Sequence, residues 1–218
     1  MQYKYCFWDL DGTVIDSSPS VTHSVQYALK KMGIEPPPEE ELLCFIGPPL
    51  VDAFARFYNM SHEDSVRATA FYREIYRAGN IYQCSVYDGI LDILKELKRR
   101  GIVSVLATCK PHEFANMILD RLGIADYFAF VSGPEMDGTR DAKSEVIAYA
   151  AEHLGITDFS EILMIGDHAN DVRGAAYHNI DCAGVLWGFG GEEVLVAEGA
   201  KYICKTPDDL KRLLLENM

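Results

Sequence analysis

Apolar residues fall into two alternating patterns along the chain. Short apolar runs, near 3–8, 102–107, 128–132, 162–166, 182–187 and 202–204, read as strands. Between and after them, near 88–100, 111–122, 143–154, 169–178 and 207–216, the spacing is helical. In the first of these helices Ile90, Leu91, Ile93, Leu94 and Leu97 make one stripe, and Lys98-Arg99-Arg100-Gly101 closes it with cationic last-turn residues and a terminating glycine. Strands alternating with helices predict an α/β fold, a parallel sheet with helices on both faces.

Residues from about 16 to 83 break that rhythm. Val21, Val25, Ala28, Leu29 and Met32 follow helical spacing, Pro36-Pro37-Pro38 interrupts the chain, and 50–58 and 63–78 again read as helix. The expected organisation is a discontinuous core domain, 1–15 with 84–218, carrying a helical insertion at 16–83. No internal repeat or low-complexity tract is visible.

Composition narrows the classes. A hydrophobic content of 49% over 218 residues supports a packed globular protein with a sizeable core. No apolar stretch approaches the roughly 18–20 residues of a membrane span, and strand-like sequence begins by Tyr3 without a leader, so the expected location is cytoplasmic. Six cysteines, Cys6, Cys44, Cys84, Cys109, Cys182 and Cys204, form no C-x-x-C pair, which points away from a disulfide framework or a zinc site. A formal charge of −13 disfavours nucleic acid and anionic membranes as partners. The same charge would repel a phosphate ester unless a metal, a lysine or backbone N–H groups supplied local positive charge.

Two acidic clusters stand at strand ends. Asp9-Leu10-Asp11-Gly12-Thr13 follows Tyr5-Cys6-Phe7-Trp8; extended backbone sends Asp9 and Asp11 to the same side, and Gly12 allows a sharp turn behind them. An Asp-Gly turn alone is common, but two carboxylates so placed suit phosphoryl transfer, one attacking while the other handles protons. Gly166-Asp167-His168-Ala169-Asn170-Asp171 ends the run Ile162-Leu163-Met164-Ile165. In a doubly wound sheet both clusters would face the crevice beyond the carboxyl ends of the strands, and carboxylates gathered there call for a hard cation, for which all-oxygen ligation suits Mg²⁺. Read singly, Asp167 and Asp171 are helix caps. Thr108 closes Val103-Ser104-Val105-Leu106-Ala107 ahead of Cys109-Lys110-Pro111, so its hydroxyl and the first N–H groups of the next helix are candidates to hold phosphate oxygens, although a Thr before a helix is ordinarily a cap. Lys143 opens a helix, a poor place for a cation unless an anion partners it. Cys109 lies beside Thr108 and Lys110, and His168 is a lining or supporting group more readily than a ligand.

Asp9/Asp11, Thr108, Lys143 and Asp167/Asp171, in that order, resemble the haloacid dehalogenase-like hydrolase superfamily over essentially the whole chain. The resemblance implies a Rossmann-like core with 16–83 as an α-helical cap, and a Mg²⁺-dependent phosphatase acting on a small phosphate ester. It makes Asp9 the nucleophile that forms an aspartyl-phosphate, and Asp11 the acid for the leaving group and then the base for water. Thr108 and Lys143 hold the phosphoryl group. Asp9, the backbone carbonyl of Asp11 and Asp167 bind Mg²⁺, with Asp171 supporting the metal's shell. Gly12, Thr13, Cys109 and Lys110 would border the substrate, and Gly47 and Pro48, with Leu50, would form a specificity loop in the cap. Arg56, Arg73 and Arg77 are weaker candidates for substrate contact.

Within the superfamily, the helical cap and Trp187-Gly188-Phe189-Gly190 resemble the phosphoglycolate phosphatase group. Phe45-Ile46-Gly47-Pro48-Pro49-Leu50 and Asp137-Gly138-Thr139-Arg140-Asp141-Ala142-Lys143 lean towards its 5′-nucleotidase-like branch. Lys143 departs from the usual Gly-Lys-Pro setting of the group, lying between Ala142 and Ser144. A sugar-phosphate mutase of the beta-phosphoglucomutase type would use the same residues. A metal-free dehalogenase would lack Asp11, and a phosphoacceptor signalling module would be shorter and carry no insertion. The chain is open between monomer and homodimer.

Overall fold

The computed structural model describes residues 3–217. The chain divides into two compact units, Met1–Ile15 with Val86–Met218, and Asp16–Ser85. Its strands are β1 (Tyr5–Trp8), β2 (Ile15–Asp16), β3 (Ser85–Val86), β4 (Val103–Ala107), β5 (Val131–Ser132), β6 (Ile162–Gly166), β7 (Asp181–Val185) and β8 (Tyr202–Cys204). Its helices are α1 (Ser18–Lys31), α2 (Leu50–Tyr58), α3 (His62–Arg77), α4 (Ile90–Arg100), α5 (His112–Leu122), α6 (Lys143–His153), α7 (Ala169–Tyr177), α8 (Glu192–Ala197) and α9 (Pro207–Asn217). Among the described residues no helix is long and apolar enough to cross a membrane.

The first unit is built on one sheet, in the order β5-β4-β1-β6-β7-β8, with every neighbouring pair parallel. Its central strands read as continuous apolar runs because both faces are covered. Phe7, Val105, Ala107 and Met164 enter one core with Val146, Ile147, Ala150 and Ala151 of α6 and Val172 and Ala175 of α7. The alternate residues Cys6, Trp8, Leu106, Leu163 and Ile165 are equally buried and face the other way. Trp8 Nε1 donates to Ser104 Oγ within that second layer (3.3 Å). α4 places Ile90, Ile93, Leu94 and Leu97 inward, as its stripe predicts, and ends on Gly101 in the left-handed conformation (φ 75°).

Three elements differ from the sequence reading. The strand expected at 128–132 is reduced to Val131–Ser132, because a 3₁₀ turn at Ala125–Tyr127 occupies its approach; Ala129 N and Phe130 O still bond to the neighbouring β4 segment. The strand expected at 182–187 stops at Val185, and Trp187 is drawn instead to Thr13 O (3.0 Å). The two-residue pair β2 and β3, and α8, were too short to leave a periodic signal.

The second unit is helical. α1 packs on α3 and on a 3₁₀ segment at Glu39–Phe45, and α2 packs on α3. Ser61 caps α3 by accepting from Asp64 N (3.1 Å), and Asn59 ends α2 in the left-handed region (φ 51°). Phe45 gathers Phe54, Phe57 and Tyr58 around it, with ring centroids 5.0, 5.4 and 6.0 Å away.

Candidate active site

Strand order decides where the acidic clusters meet. From β1 the chain builds β4 and β5 on one side and β6, β7 and β8 on the other, so the progression reverses at β1. Open α/β sheets bind ligands beyond the carboxyl ends of their strands at such a reversal. Asp9 leaves β1, Thr108 leaves β4 and Asp167 leaves β6, three neighbouring strand ends. α6 and α7 pack against each other and bring in Lys143, the first residue of α6, and Asp171, in the first turn of α7.

Lys143 is the hub. Its Nζ donates to Asp9 Oδ1 (2.7 Å) and to Ala107 O (2.8 Å) and forms an ion pair with Asp171 Oδ1 (2.7 Å). Burial works against its charge, but Asp171 and Asp9 outweigh it and hold the ammonium well above its ordinary pKa. Those two carboxylates also explain a cation at a helix N-terminus. Space for the lysine stem comes from Gly174 of α7: a Cβ there would stand 2.6 Å from Lys143 Cγ and 2.8 Å from its Cβ.

Asp9 is 6% exposed, and burial, with Asp171 and Asp11 adding repulsion against Lys143, pushes its carboxyl up to about 6. Asp167 is held by two donors, Thr13 Oγ1 to Oδ1 (3.1 Å) and Phe189 N to Oδ2 (2.7 Å). Burial raises its pKa well above the ordinary value, Asp9 and Asp171 raise it further, and the two donors pull against them. Oxygens of Asp9, Asp167 and Asp171 all lie within 4.8 Å of one another. When ionised, these three carboxylates leave two negative charges beyond what Lys143 balances. A hard divalent cation fits that all-oxygen donor set and its excess charge.

The remaining expected residues occupy the following places. Asp11 does not contribute its carboxylate to the three-acid group; its Oδ1 lies 3.0 Å from Lys110 Nζ. Thr108 is buried, and its Oγ1 accepts from Lys110 N (3.1 Å), so it shapes the 108–110 turn and does not cap α5. The first N–H of α5, expected near phosphate, belongs to His112 and donates to Pro134 O (3.0 Å). Thr13, expected beside the substrate, is fully buried and spends its hydroxyl on Asp167. Gly12 adopts φ 80°, and any Cβ would strike the Asp167 carboxylate. Cys109 is half-buried, its thiol pushed up to about 12 chiefly by burial, which keeps it protonated at neutral pH. Gly47, Pro48, Arg56, Arg73 and Arg77 belong to the second unit.

Some partners were not legible in the sequence. His168 is the N-cap of α7: its Nδ1 accepts from Asn170 N (3.3 Å), and its own N–H donates to Asp171 Oδ2 (3.0 Å). Asp171 therefore serves the cap and the lysine together. Gly166 leaves room for that carboxylate, since a Cβ there would collide with it. The Trp187–Gly190 loop closes on Asp167 through Phe189 N, with Gly188 and Gly190 admitting the approach.

Residues 6–185 match the family described as haloacid dehalogenase-like hydrolase. A 5′-nucleotidase of Pseudomonas aeruginosa is 36% identical over 98% of this chain and 96% of its own length. The tyrosine-protein kinase PtkA of Mycobacterium tuberculosis is 34% identical over 95% of this chain and 71% of its own. Phosphoglycolate phosphatase 1 of Pseudomonas aeruginosa is 28% identical over 97% and 78%. Among solved structures, a predicted phosphatase from Clostridium acetobutylicum superposes with a TM-score of 0.95 at 39% identity, covering 99% of this chain and 100% of its own.

Proposed function

Because the chain belongs to the haloacid dehalogenase-like hydrolase family, we propose that it hydrolyses a small metabolite phosphomonoester in two steps, through a phosphorylated Asp9. The observation that carries this reading is the placement of Asp9 against Lys143, with Asp167 and Asp171 within reach of one cation. Asp9, Asp167 and the backbone carbonyl of Asp11 would hold Mg²⁺, and Asp171 would support the site by fixing Lys143. The bound ion supplies the charge neutralisation that lets a carboxylate approach a phosphate dianion.

Lys143 holds one Asp9 oxygen and turns the other towards phosphorus. In the first step an O–P bond forms to Asp9 and the ester O–P bond breaks; Asp11 delivers its proton to the departing alkoxide. In the second, water attacks the acyl phosphate, Asp11 takes the water proton, and the Asp9 carboxylate is released with inorganic phosphate. Thr108 and the ammonium of Lys143 stabilise the charge that develops on the equatorial oxygens. The helical unit Asp16–Ser85 is the cap, and Gly47 and Pro48 are its specificity loop.

Phosphoglycolate and nucleoside 5′-monophosphates are the two esters to test first. The nucleotide is favoured by the 36% identity to a 5′-nucleotidase over nearly the full length of both chains. Phosphate release from a panel of phosphoglycolate, nucleoside monophosphates and sugar phosphates, with and without Mg²⁺, compares kcat/KM values. The expected result is Mg²⁺-dependent release with one class preferred. An isomerised sugar phosphate without free phosphate would make it a mutase, and an ester left untouched throughout would overturn the reading.

A further inference from the structure

We propose that Trp187 is a positioning residue for the divalent cation, acting through Thr13 on Asp167; the inference rests on the reading of Asp167 as a metal ligand. Trp187 lies in the loop after β7 and makes no contact with the acidic cluster through its own polar atom. Its indole N–H reaches across to the loop after β1 and donates to Thr13 O (3.0 Å). Thr13 in turn gives its hydroxyl to Asp167 Oδ1, while Phe189, two residues beyond Trp187, gives its N–H to Oδ2.

The two oxygens of one carboxylate are thus held from two different loops. A single donor leaves a carboxylate free to swing about its last bond; two donors on different oxygens fix its plane. That holds only while the two loops keep their separation. The indole hydrogen bond is a side-chain link that spans them.

The packing leaves little slack around this link. A Cβ on Gly12, Gly188 or Gly190 would run into Asp167, and one on Gly188 would also meet the Gly12 carbonyl. Both loops therefore approach the carboxylate at backbone distance. Thr13 is fully buried, and its amide donates to Leu10 O (3.3 Å), so the residue is anchored at N–H, carbonyl and hydroxyl. Hydrogen bonds to metal-ligating carboxylates set their orientation, and losing them weakens metal affinity by roughly ten- to hundredfold.

The test is calorimetric titration of the full-length protein with Mg²⁺, alongside steady-state kinetics across Mg²⁺ concentration. Trp187→Phe keeps the ring and removes only the N–H; the expected result is a rise in the Mg²⁺ Kd of about three- to tenfold, the size of one net hydrogen bond. kcat at saturating Mg²⁺ should stay within about twofold of wild type, as expected for a variant changed in affinity alone. Thr13→Val, which deletes the direct donor, should raise Kd by roughly tenfold or more, and Thr13→Ser should restore it. A Trp187→Phe protein with a lowered melting temperature and an unchanged Kd would reduce Trp187 to packing and overturn the proposal. Should Trp187→Phe fail to fold, an equal Kd in Thr13→Val and Thr13→Ser would overturn it instead. Wild-type protein that binds no Mg²⁺ would overturn the metal reading along with this one.

Discussion

Lys143 Nζ donates to Asp9 Oδ1 across 2.7 Å, joining residues 134 positions apart in the chain. The lysine is 3% exposed and the aspartate 9% in their side chains, so neither charge has water to fall back on. The pair fixes the orientation of the Asp9 carboxylate and keeps a buried positive charge beside it.

Replacing Asp9 by Asn keeps the shape and would remove the proposed nucleophile. Turnover should fall by at least about a thousandfold while the far-ultraviolet circular dichroism stays that of wild type. Mg²⁺-dependent phosphate release at near wild-type rate from Asp9→Asn would move the nucleophile elsewhere.

Lys143→Met leaves Asp9 and Asp171 buried and facing each other without their cation. Breaking a buried pair in this way costs about 3–5 kcal/mol, so urea unfolding in EDTA should show a loss of that order, partly recovered when Mg²⁺ is added. A variant as stable as wild type in EDTA would contradict the charge arrangement described for this hub.

Gly174→Ala separates local from tertiary effects. In a helix interior Ala is favoured over Gly by about 1 kcal/mol, so local propensity predicts a more stable protein. The Cβ would instead meet the stem of Lys143 close to its backbone, and overpacking costs about 1–3 kcal/mol. The expected outcome is a lower melting temperature and at least a tenfold drop in kcat; a stabilised, active variant would show that α7 yields at this point.

Stability should depend on pH in opposite ways with and without metal. The folded pKa of Asp9, about 6, lies above its unfolded value, and that of Asp167 is raised in the same direction. Such groups favour the fold fully below their unfolded pKa, near 4, and that contribution is lost as pH rises through the folded value. In EDTA the wild-type melting temperature should therefore decline from about pH 4.5 to 7 relative to Asp9→Asn, and Mg²⁺ should raise it most above pH 6, where the Asp9 carboxyl ionises and can ligate. Parallel EDTA curves for the two proteins would remove Asp9 as the group responsible.

Much of this molecule is legible in its residues. Short continuous apolar runs and period-3.6 patterns locate the core elements, because burial on both faces of a sheet fills a strand with apolar residues and burial on one face of a helix leaves a stripe. Asp9 and Asp167 are readable because each ends an apolar strand, and Lys143 because a cation at a helix start is costly without an anion. Elements of two residues, such as β2 and β3, carry no period to read.

The sequence alone determines which side chains leave which strand ends, since that follows from local backbone geometry. Which of them meet is decided by strand order and by the α6–α7 contact, neither of which is encoded in any short segment. Asp171 becomes a partner of Lys143 only when two helices pack, and Thr13 and Phe189 become the supports of Asp167 only when loops 154 and 22 residues away in sequence close on it. Spacing along a chain fixes the direction in which a group points; the distance between groups from different elements is set by packing.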